Sequence, residues 1–168
     1  MHEKAVPHLL KKFKRFNIKP HCLPNAIGMW PNEQECLAWC VLNSNPNSSF
    51  MEIGSFCGGS AVLMCLCSRF NSENNLSNSP NKIYSVDCDF DKYQAIAGSQ
   101  SYSNDKAVAM FEHNVYKKGA FHDISEQLIC YSDDIPQNYS GGDIGFLFID
   151  GFHSFAQVVK DFDTVKPF

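Results

Sequence analysis

Apolar and polar segments alternate along this chain in the order expected of a sheet with helices between its strands. Short apolar segments predict four strands, over Phe50–Ile53, Lys82–Val86, Leu128–Tyr131 and Ile144–Ile149. The last of them is apolar on both faces, which is typical of a central parallel strand. Strands that alternate with helices predict an α/β fold with a doubly wound parallel sheet.

Apolar residues recur at helical spacing between these strands. The spacing predicts helices over about 33–42, 60–70 and 104–118. Asn32 and Glu35 have the spacing of a capping box before the first of these, and Ser154 and Gln157 have it before a final helix near the chain end. Residues 71–81, rich in Asn and Ser, are expected to form a surface loop.

The first 30 residues differ from the rest of the chain. A basic run, Lys11–Arg15, is interleaved with the apolar residues Leu9, Leu10, Phe13 and Phe16, and a connector rich in proline follows at 19–24. We therefore divide the chain into an N-terminal basic helix with its connector, residues 1–30, and a main domain, residues 31–168. A solvated helix face explains the basic run better than a nucleic-acid or membrane patch.

Composition narrows the class of protein. With 168 residues, 44% hydrophobic and 19% charged, the chain is long and apolar enough for one globular domain. Its net charge of −4 argues against nucleic acid as the main partner. The N-terminus, Met-His-Glu-Lys, lacks an apolar secretory segment, so the eight cysteines indicate a reduced, cytoplasmic protein rather than a disulfide framework. No stretch is long enough to span a membrane.

Polar groups stand at all four predicted strand ends, where ligands bind in a doubly wound sheet. They are Glu52 with Gly54, Asp87, Ser132 with Asp133, and Asp150 with His153. Four such ends in register are stronger evidence for a ligand site than one.

The segment Phe50–Ser60 joins a strand, a glycine turn and a helix start, which presents backbone N–H groups to a nucleotide-like cofactor. Phe56 occupies the second glycine position of the G-x-G-x-x-G pattern, so NAD and FAD are disfavoured. Asp87 is suited to the ribose hydroxyls of an adenosine, the alternative being a strand-end or helix-cap carboxylate.

Two motifs resemble a known family. Met51–Val62 is similar to the first motif of class I S-adenosylmethionine-dependent methyltransferases, especially the catechol O-methyltransferase type with its E-x-G-x-x-C-G-x-S-A pattern. Phe148–Phe155 resembles the F-I-D-G-D-H-S-Y signature of a bacterial group within that superfamily. The resemblance covers about residues 30–167 and implies a Rossmann-like fold with strand order 3-2-1-4.

The resemblance also implies roles for individual residues. For the cofactor it implies Gly54 and Ser60 at the methionine part, Glu52 supporting the turn, Asp87 at the ribose, and Ser132 and Asp133 near the adenine. It makes Asp150 a catalytic residue, the first ligand of a divalent cation such as Mg²⁺ that orients a substrate hydroxyl. His153 is either a general base there or a residue that orients the turn.

The sequence departs from the family pattern in two places. Phe152 replaces the second carboxylate of the signature. The family continues beyond the position of Phe168 with a further strand and more metal ligands, so we expect the chain to lack its C-terminal strands. The strand Ile144–Ile149 would then be a sheet edge, and the chain would be a fragment or would pair this edge with a partner, such as a second copy.

These observations predict an S-adenosylmethionine-dependent methyltransferase that O-methylates a small molecule. The alternative is a catalytically incomplete, methyltransferase-like module or fragment that only binds the cofactor. A nicotinamide-dependent oxidoreductase is the third interpretation, and Phe56 opposes it.

Overall fold

A computed structural model describes residues 2–16, 29–88 and 104–168. The connector 19–24 and the segment 91–103 lie outside these ranges. The helices described are α1 (His2–Lys14), α2 (Pro31–Leu42), α3 (Gly59–Glu73), α4 (Asn104–Phe111), α5 (Ile135–Asn138) and α6 (Phe155–Val165). The strands are β1 (Ser49–Ile53), β2 (Ile83–Asp87), β3 (Ser125–Ile129) and β4 (Ile144–Ile149). A π-helix, Glu112–Lys118, continues α4, and a 3₁₀-helix, Ser132–Asp134, precedes α5.

The described strands form one parallel sheet with the order β3-β2-β1-β4. In the register, Glu52 lies opposite Ser85 on one side and Phe148 on the other. This confirms the predicted Rossmann-like α/β fold and its strand order. Since all strands run the same way, their carboxyl ends meet at one edge of the sheet, where the predicted site residues follow.

Side chains alternate between the two faces of the sheet, so β1 supplies both hydrophobic cores. Phe50 packs on one face against α1, α2 and α3, and Met51 packs on the other with residues of α5 and α6. Both side chains are fully buried. The sheet is thus covered on both faces, as parallel sheets require.

Helix α1 is amphipathic, as its sequence predicts. Leu9 and Phe13 are buried in the core with α2 and α3, whereas Lys11 and Lys12 are exposed. The basic run is therefore the solvent face of a packed helix. The division into residues 1–30 and 31–168 stays a prediction. No helix in the described ranges combines the length and apolar character needed to cross a membrane.

Two predicted elements differ from the structure. Strand β3 spans Ser125–Ile129, so it begins and ends earlier than the predicted segment Leu128–Tyr131. It lies at the sheet edge beside β2, where polar residues are tolerated, and its apolar content was a poor guide to its bounds. The helix predicted over 104–118 changes at residue 112 from an α-helix to a π-helix.

Two local predictions about polar residues were wrong. The capping interaction of α2 joins the backbone N–H of Trp30 to the carboxylate of Glu33, at 2.6 Å, rather than Asn32 to Glu35. The segment 71–81 is not wholly a surface loop, because α3 extends to Glu73 and Asn81 is buried. The side-chain amide of Asn81 donates to the carbonyl of Ser48 at 2.7 Å.

Candidate cofactor and acceptor site

The glycine turn at residues 54–58 connects β1 to α3 and has a backbone that only certain residues adopt. Gly54 and Gly58 have φ values of +98° and +77°. A Cβ atom on Gly54 would lie 2.3 Å from the backbone oxygen of Asp150. Phe56 also has a positive φ, +42°, although it is not glycine. The turn therefore packs against the end of β4 so closely that no side chain fits at Gly54.

Asp87, at the end of β2, binds this turn. One carboxylate oxygen accepts hydrogen bonds from the backbone N–H of Phe56 and from the Ser55 hydroxyl, the latter at 3.5 Å. The other oxygen accepts from the N–H of Cys88 at 2.9 Å. Burial raises the pKa of Asp87 to about 6, although these hydrogen bonds lower it. Asp87 and the glycine turn, which the sequence predicts separately, thus form one hydrogen-bonded unit.

Glu52 lies beneath the turn and is fully buried. The hydroxyls of Ser60 and Ser85 lie near its carboxylate, although neither carboxylate oxygen makes a hydrogen bond of normal length and angle to the described residues. Burial raises the pKa of Glu52 to about 7; the hydroxyls of Ser60 and Ser85 oppose this shift, and the charges of Asp87 and Asp150 add to it. Glu52 therefore lies close enough to Asp87 and Asp150 for the three carboxyl groups to influence one another.

Asp150 and His153 follow β4 and form the other part of the site. His153 Nε2 lies 3.8 Å from Asp150 Oδ1, and the two side chains are 75% and 46% exposed. Partial burial raises the pKa of Asp150, His153 opposes this shift, and the charge of Glu33 adds to it. The pair is close enough to share a proton through a small movement or a water molecule.

The described residues do not fit a divalent cation at Asp150. No group of three or more His, Cys, Asp or Glu side chains with metal-binding spacing occurs in the described ranges. Asp150 and His153 offer two ligands, and the imidazole is a poor one for Mg²⁺, which prefers oxygen. The predicted cation therefore has no complete site among these residues.

Ser132 and Asp133, after β3, are held by α6. Gln157 donates from its side-chain amide to the Ser132 hydroxyl at 3.2 Å and to the Asp161 carboxylate at 2.7 Å. Asp133 forms an ion pair with Lys160. The structure thus places these two predicted cofactor residues at a junction with the last helix, while Glu52, Gly54, Ser60, Asp87 and Asp150 lie around the glycine turn.

A cavity of about 470 Å³ lies between α2 and β4. It is lined by Met29, Trp30, Glu33, Cys36, Leu37, Cys40, Phe146, Phe148, Asp150 and His153. Sequence reasoning assigned no site role to Glu33 or Cys36. Their spacing with Leu37 and Cys40 along α2 places them on one helix face, which is the signal that could have indicated this wall. The cavity is mostly apolar and contains an Asp–His pair.

A family described as methyltransferase domain matches residues 51–168. No curated protein sequence matches the chain significantly.

Solved structures with this fold include two methyltransferases. The SAH-bound Podospora anserina methyltransferase PaMTH1 has a TM-score of 0.60 and 14% identity, with 94% of this chain and 56% of that chain covered. The O-methyltransferase from Bacillus cereus in complex with SAH has a TM-score of 0.50 and 14% identity, with 88% and 54% covered. The chain therefore spans a little over half the length of either protein.

Proposed function

This chain belongs to the methyltransferase-domain family, and we propose that it binds S-adenosylmethionine and transfers the methyl group to a hydroxyl of a small molecule. The observation that carries the proposal is the hydrogen-bonded unit of Asp87 and the glycine turn. It stands at the carboxyl ends of β1 and β2, where this fold binds nucleotide-like ligands. Both solved neighbours contain SAH, S-adenosylhomocysteine, which is the demethylated product.

The residues present fit the proposed cofactor. Gly54 has no side chain, which lets the turn lie directly against the Asp150 backbone at the end of β4 and fixes its position beside the proposed ligand. Asp87 supplies a carboxylate for the ribose hydroxyls, and Ser60 lies at the start of α3 for the methionine part. Glu52 supports the turn from below. Ser132 and Asp133 stay proposed neighbours of the adenine.

S-adenosylmethionine, when bound, supplies an electrophilic methyl group to an oxygen nucleophile. The chain's own residues then have two tasks: to orient the hydroxyl and to accept its proton. The apolar wall of Phe146 and Phe148 orients a small acceptor. His153 accepts the hydroxyl proton at Nε2, and Asp150, 3.8 Å away, stabilises the resulting imidazolium. The other interpretation of His153, that it only orients the turn, predicts no loss of the chemical step on its replacement.

The cofactor part of the proposal is tested by calorimetric titration of the chain with S-adenosylhomocysteine and, separately, with NAD. We expect binding of the first and none of the second, since Phe56 stands where a pyrophosphate needs glycine. A chain that binds NAD and not S-adenosylhomocysteine would be an oxidoreductase-type protein instead.

A pair of matched variants locates the site. Asp87→Asn keeps the side-chain size and removes the charge, and we expect it to weaken S-adenosylhomocysteine binding by about tenfold or more. Asp143→Asn makes the same change on an exposed residue at the opposite end of β4, and we expect affinity within about twofold of the original. Equal affinities of the two variants would place the ligand elsewhere.

Turnover distinguishes the enzyme from a binding module. The chain is incubated with labelled S-adenosylmethionine and a panel of phenols and sugars, and methylated product is measured. A chain that binds S-adenosylhomocysteine tightly and methylates no acceptor supports the catalytically incomplete module. That alternative draws its support from the incomplete cation site at Asp150.

We also propose that the chain associates through β4. Among the described strands β4 pairs only with β1. On its outer edge the N–H of Ile144 donates to the carbonyl of Phe168 at 3.0 Å, and no described strand pairs with the remainder of that edge. Sedimentation at increasing concentration tests this. A mass that stays monomeric throughout would contradict it.

A further inference from the structure

Asn114 contacts the glycine turn from a part of the chain to which no binding role is assigned above. It lies in the π-helix and is 7% exposed. Its side-chain amide donates a hydrogen bond to the backbone carbonyl of Cys57 at 2.8 Å, across a buried contact. Cys57 lies one residue before Gly58, at the start of α3. A buried amide in this position fixes the turn directly.

The π-helix explains how Asn114 reaches the turn. The N–H of Gly119 donates to the carbonyl of Asn114 at 3.0 Å, the wider spacing that defines a π-helix. This widening changes the direction of side chains relative to a continued α-helix. It places Val115 against the turn as well, because a Cβ atom on Gly58 would lie 2.6 Å from Val115 Cγ2. The glycine turn therefore packs directly against the π-helix.

Three anchors thus hold the turn from three elements. Asp87 binds the N–H of Phe56 from β2. The backbone of Asp150 contacts Gly54 from the end of β4. Asn114 binds the carbonyl of Cys57 from the π-helix and is the anchor nearest to α3. The N–H of Gly58 also donates to the carbonyl of Ser55 at 2.7 Å within the turn, so the Asn114 hydrogen bond is the one that ties the α3 side of the turn to the π-helix.

We propose that Asn114 is a positioning residue for the cofactor: by holding the Cys57 carbonyl it aims the backbone N–H groups at the start of α3 toward the ligand. This inference rests on the proposed function. In this role Asn114 acts on the ligand through the Cys57 carbonyl and the turn. Its effect is to keep the turn in its binding conformation before the ligand arrives, which lowers the ordering cost of binding.

The test compares Asn114→Ala with Asn138→Ala. Asn138 also donates its amide to a backbone carbonyl, that of Asp134 at 2.7 Å, but on the surface of α5. We expect Asn114→Ala to weaken S-adenosylhomocysteine binding by about tenfold, which corresponds to about 1.4 kcal/mol. Asn138→Ala should bind within about twofold of the original chain.

Two further measurements separate positioning from general stability. Hydrogen exchange of the amides of residues 56–59, measured without ligand, should be faster in Asn114→Ala and unchanged in Asn138→Ala. In a turnover assay, Asn114→Ala should raise the KM for S-adenosylmethionine more than it lowers kcat. Unchanged exchange together with unchanged affinity would overturn the inference.

Asn114→Asp keeps the inference testable if the alanine variant does not fold. A protonated aspartic acid donates to the Cys57 carbonyl and an ionised one does not. Affinity for S-adenosylhomocysteine should therefore recover, relative to the original chain at the same pH, as the pH falls. No recovery would count against a donor role. If the original chain binds no S-adenosylhomocysteine, the proposed function fails, while hydrogen exchange still decides whether Asn114 holds the turn.

Discussion

The two halves of the sheet's carboxyl edge differ in how far their residues are buried and packed against other residues. At the ends of β1 and β2, Glu52 and Gly54 are enclosed, and Asp87 is hydrogen-bonded to its neighbours. Beyond β4, Phe155 is 86% exposed and Phe162 is 51% exposed on α6. The residues around the glycine turn are closely packed, whereas α6 presents apolar side chains to the surface.

The two halves are therefore suited to different binding roles. A turn held by Asp87, the Asp150 backbone and Asn114 is already ordered, so a ligand there meets little ordering cost. The cavity by Asp150 and the exposed face of α6 are open and apolar, which suits an acceptor molecule or further protein surface. We expect substitutions around the glycine turn to lower stability and ligand affinity much more than substitutions beside β4 and on α6.

The largest effect is expected from Gly54→Ala. The residue has φ +98°, and the new Cβ would lie 2.3 Å from the Asp150 backbone oxygen. Strain of this kind costs about 1–3 kcal/mol before the clash is counted. We expect both the free energy of unfolding in urea and the affinity for S-adenosylhomocysteine to fall sharply.

Gly142→Ala is the matched control, since no atom lies within 4 Å of its added Cβ. We expect it to change stability by less than about 1 kcal/mol, with a small gain from the stiffer unfolded chain. Similar losses in both variants would show that the glycine turn is no more constrained than an ordinary loop.

The next largest effect concerns the pH dependence of stability through Glu52. Its pKa is about 7 in the folded chain against an ordinary 4.5. The folded state therefore holds this proton more tightly than the unfolded state, and the free energy of unfolding falls as the pH rises from about 4.5 to about 7. At 1.36 kcal/mol per pKa unit, the loss is about 3 kcal/mol.

Glu52→Gln removes this titration. The free energy of unfolding of the variant, relative to that of the original chain, should therefore rise across the same pH window. The pKa of Asp87 is also raised, but Asp87 is present in both chains, so the difference between them reports Glu52 together with its interaction with Asp87 and Asp150. Glu126→Gln, an exposed residue of β3, is the control and should follow the original chain. Parallel stability curves for Glu52→Gln and the original chain would mean that Glu52 is not an enclosed acid.

The tightly bound half is also the half that sequence predicted well. Glycines, a strand and an acidic strand end are local patterns with one physical explanation each. Gly54 and Asp87 were therefore predicted to bind one cofactor, and the structure places Asp87 in contact with the glycine turn. The strand order followed from the resemblance and was confirmed. The hydrogen bond between Asp87 and Phe56 was not predicted, because residues far apart in sequence meet only in the folded sheet.

Other features have weaker sequence signals. A π-helix differs from an α-helix only in the spacing of its backbone hydrogen bonds, which join residues five apart instead of four. The pattern 104–118 gave no sign of this change at residue 112. Strand β3 is short and polar, which displaced its predicted bounds. Ser132 and Asp133 were predicted from their place after β3, whereas their contacts come from α6, a partner that spacing along the chain does not reveal.

A smaller effect is expected from Phe155→Glu in the open half. The side chain is 86% exposed, so its loss should change the free energy of unfolding by less than about 0.5 kcal/mol. Self-association, measured by sedimentation, should weaken because an apolar surface residue becomes charged. Gln137→Glu, an exposed change on α5 that adds the same charge, is the control. Equal association of both variants would exclude the α6 face as the contact.

The smallest effect is expected from Lys160→Ala, which removes the ion pair that ties Asp133 to α6. The two side chains are 55% and 48% exposed, and exposed pairs contribute about 0.2–1 kcal/mol. The Gln157 hydrogen bond to Ser132 remains, so the turn after β3 keeps one contact with the helix. Urea unfolding should show a loss at the low end of that range, and less in high salt. A loss as large as that of Gly54→Ala would mean that the open half is held as firmly as the glycine turn, and the contrast between the two halves would fail.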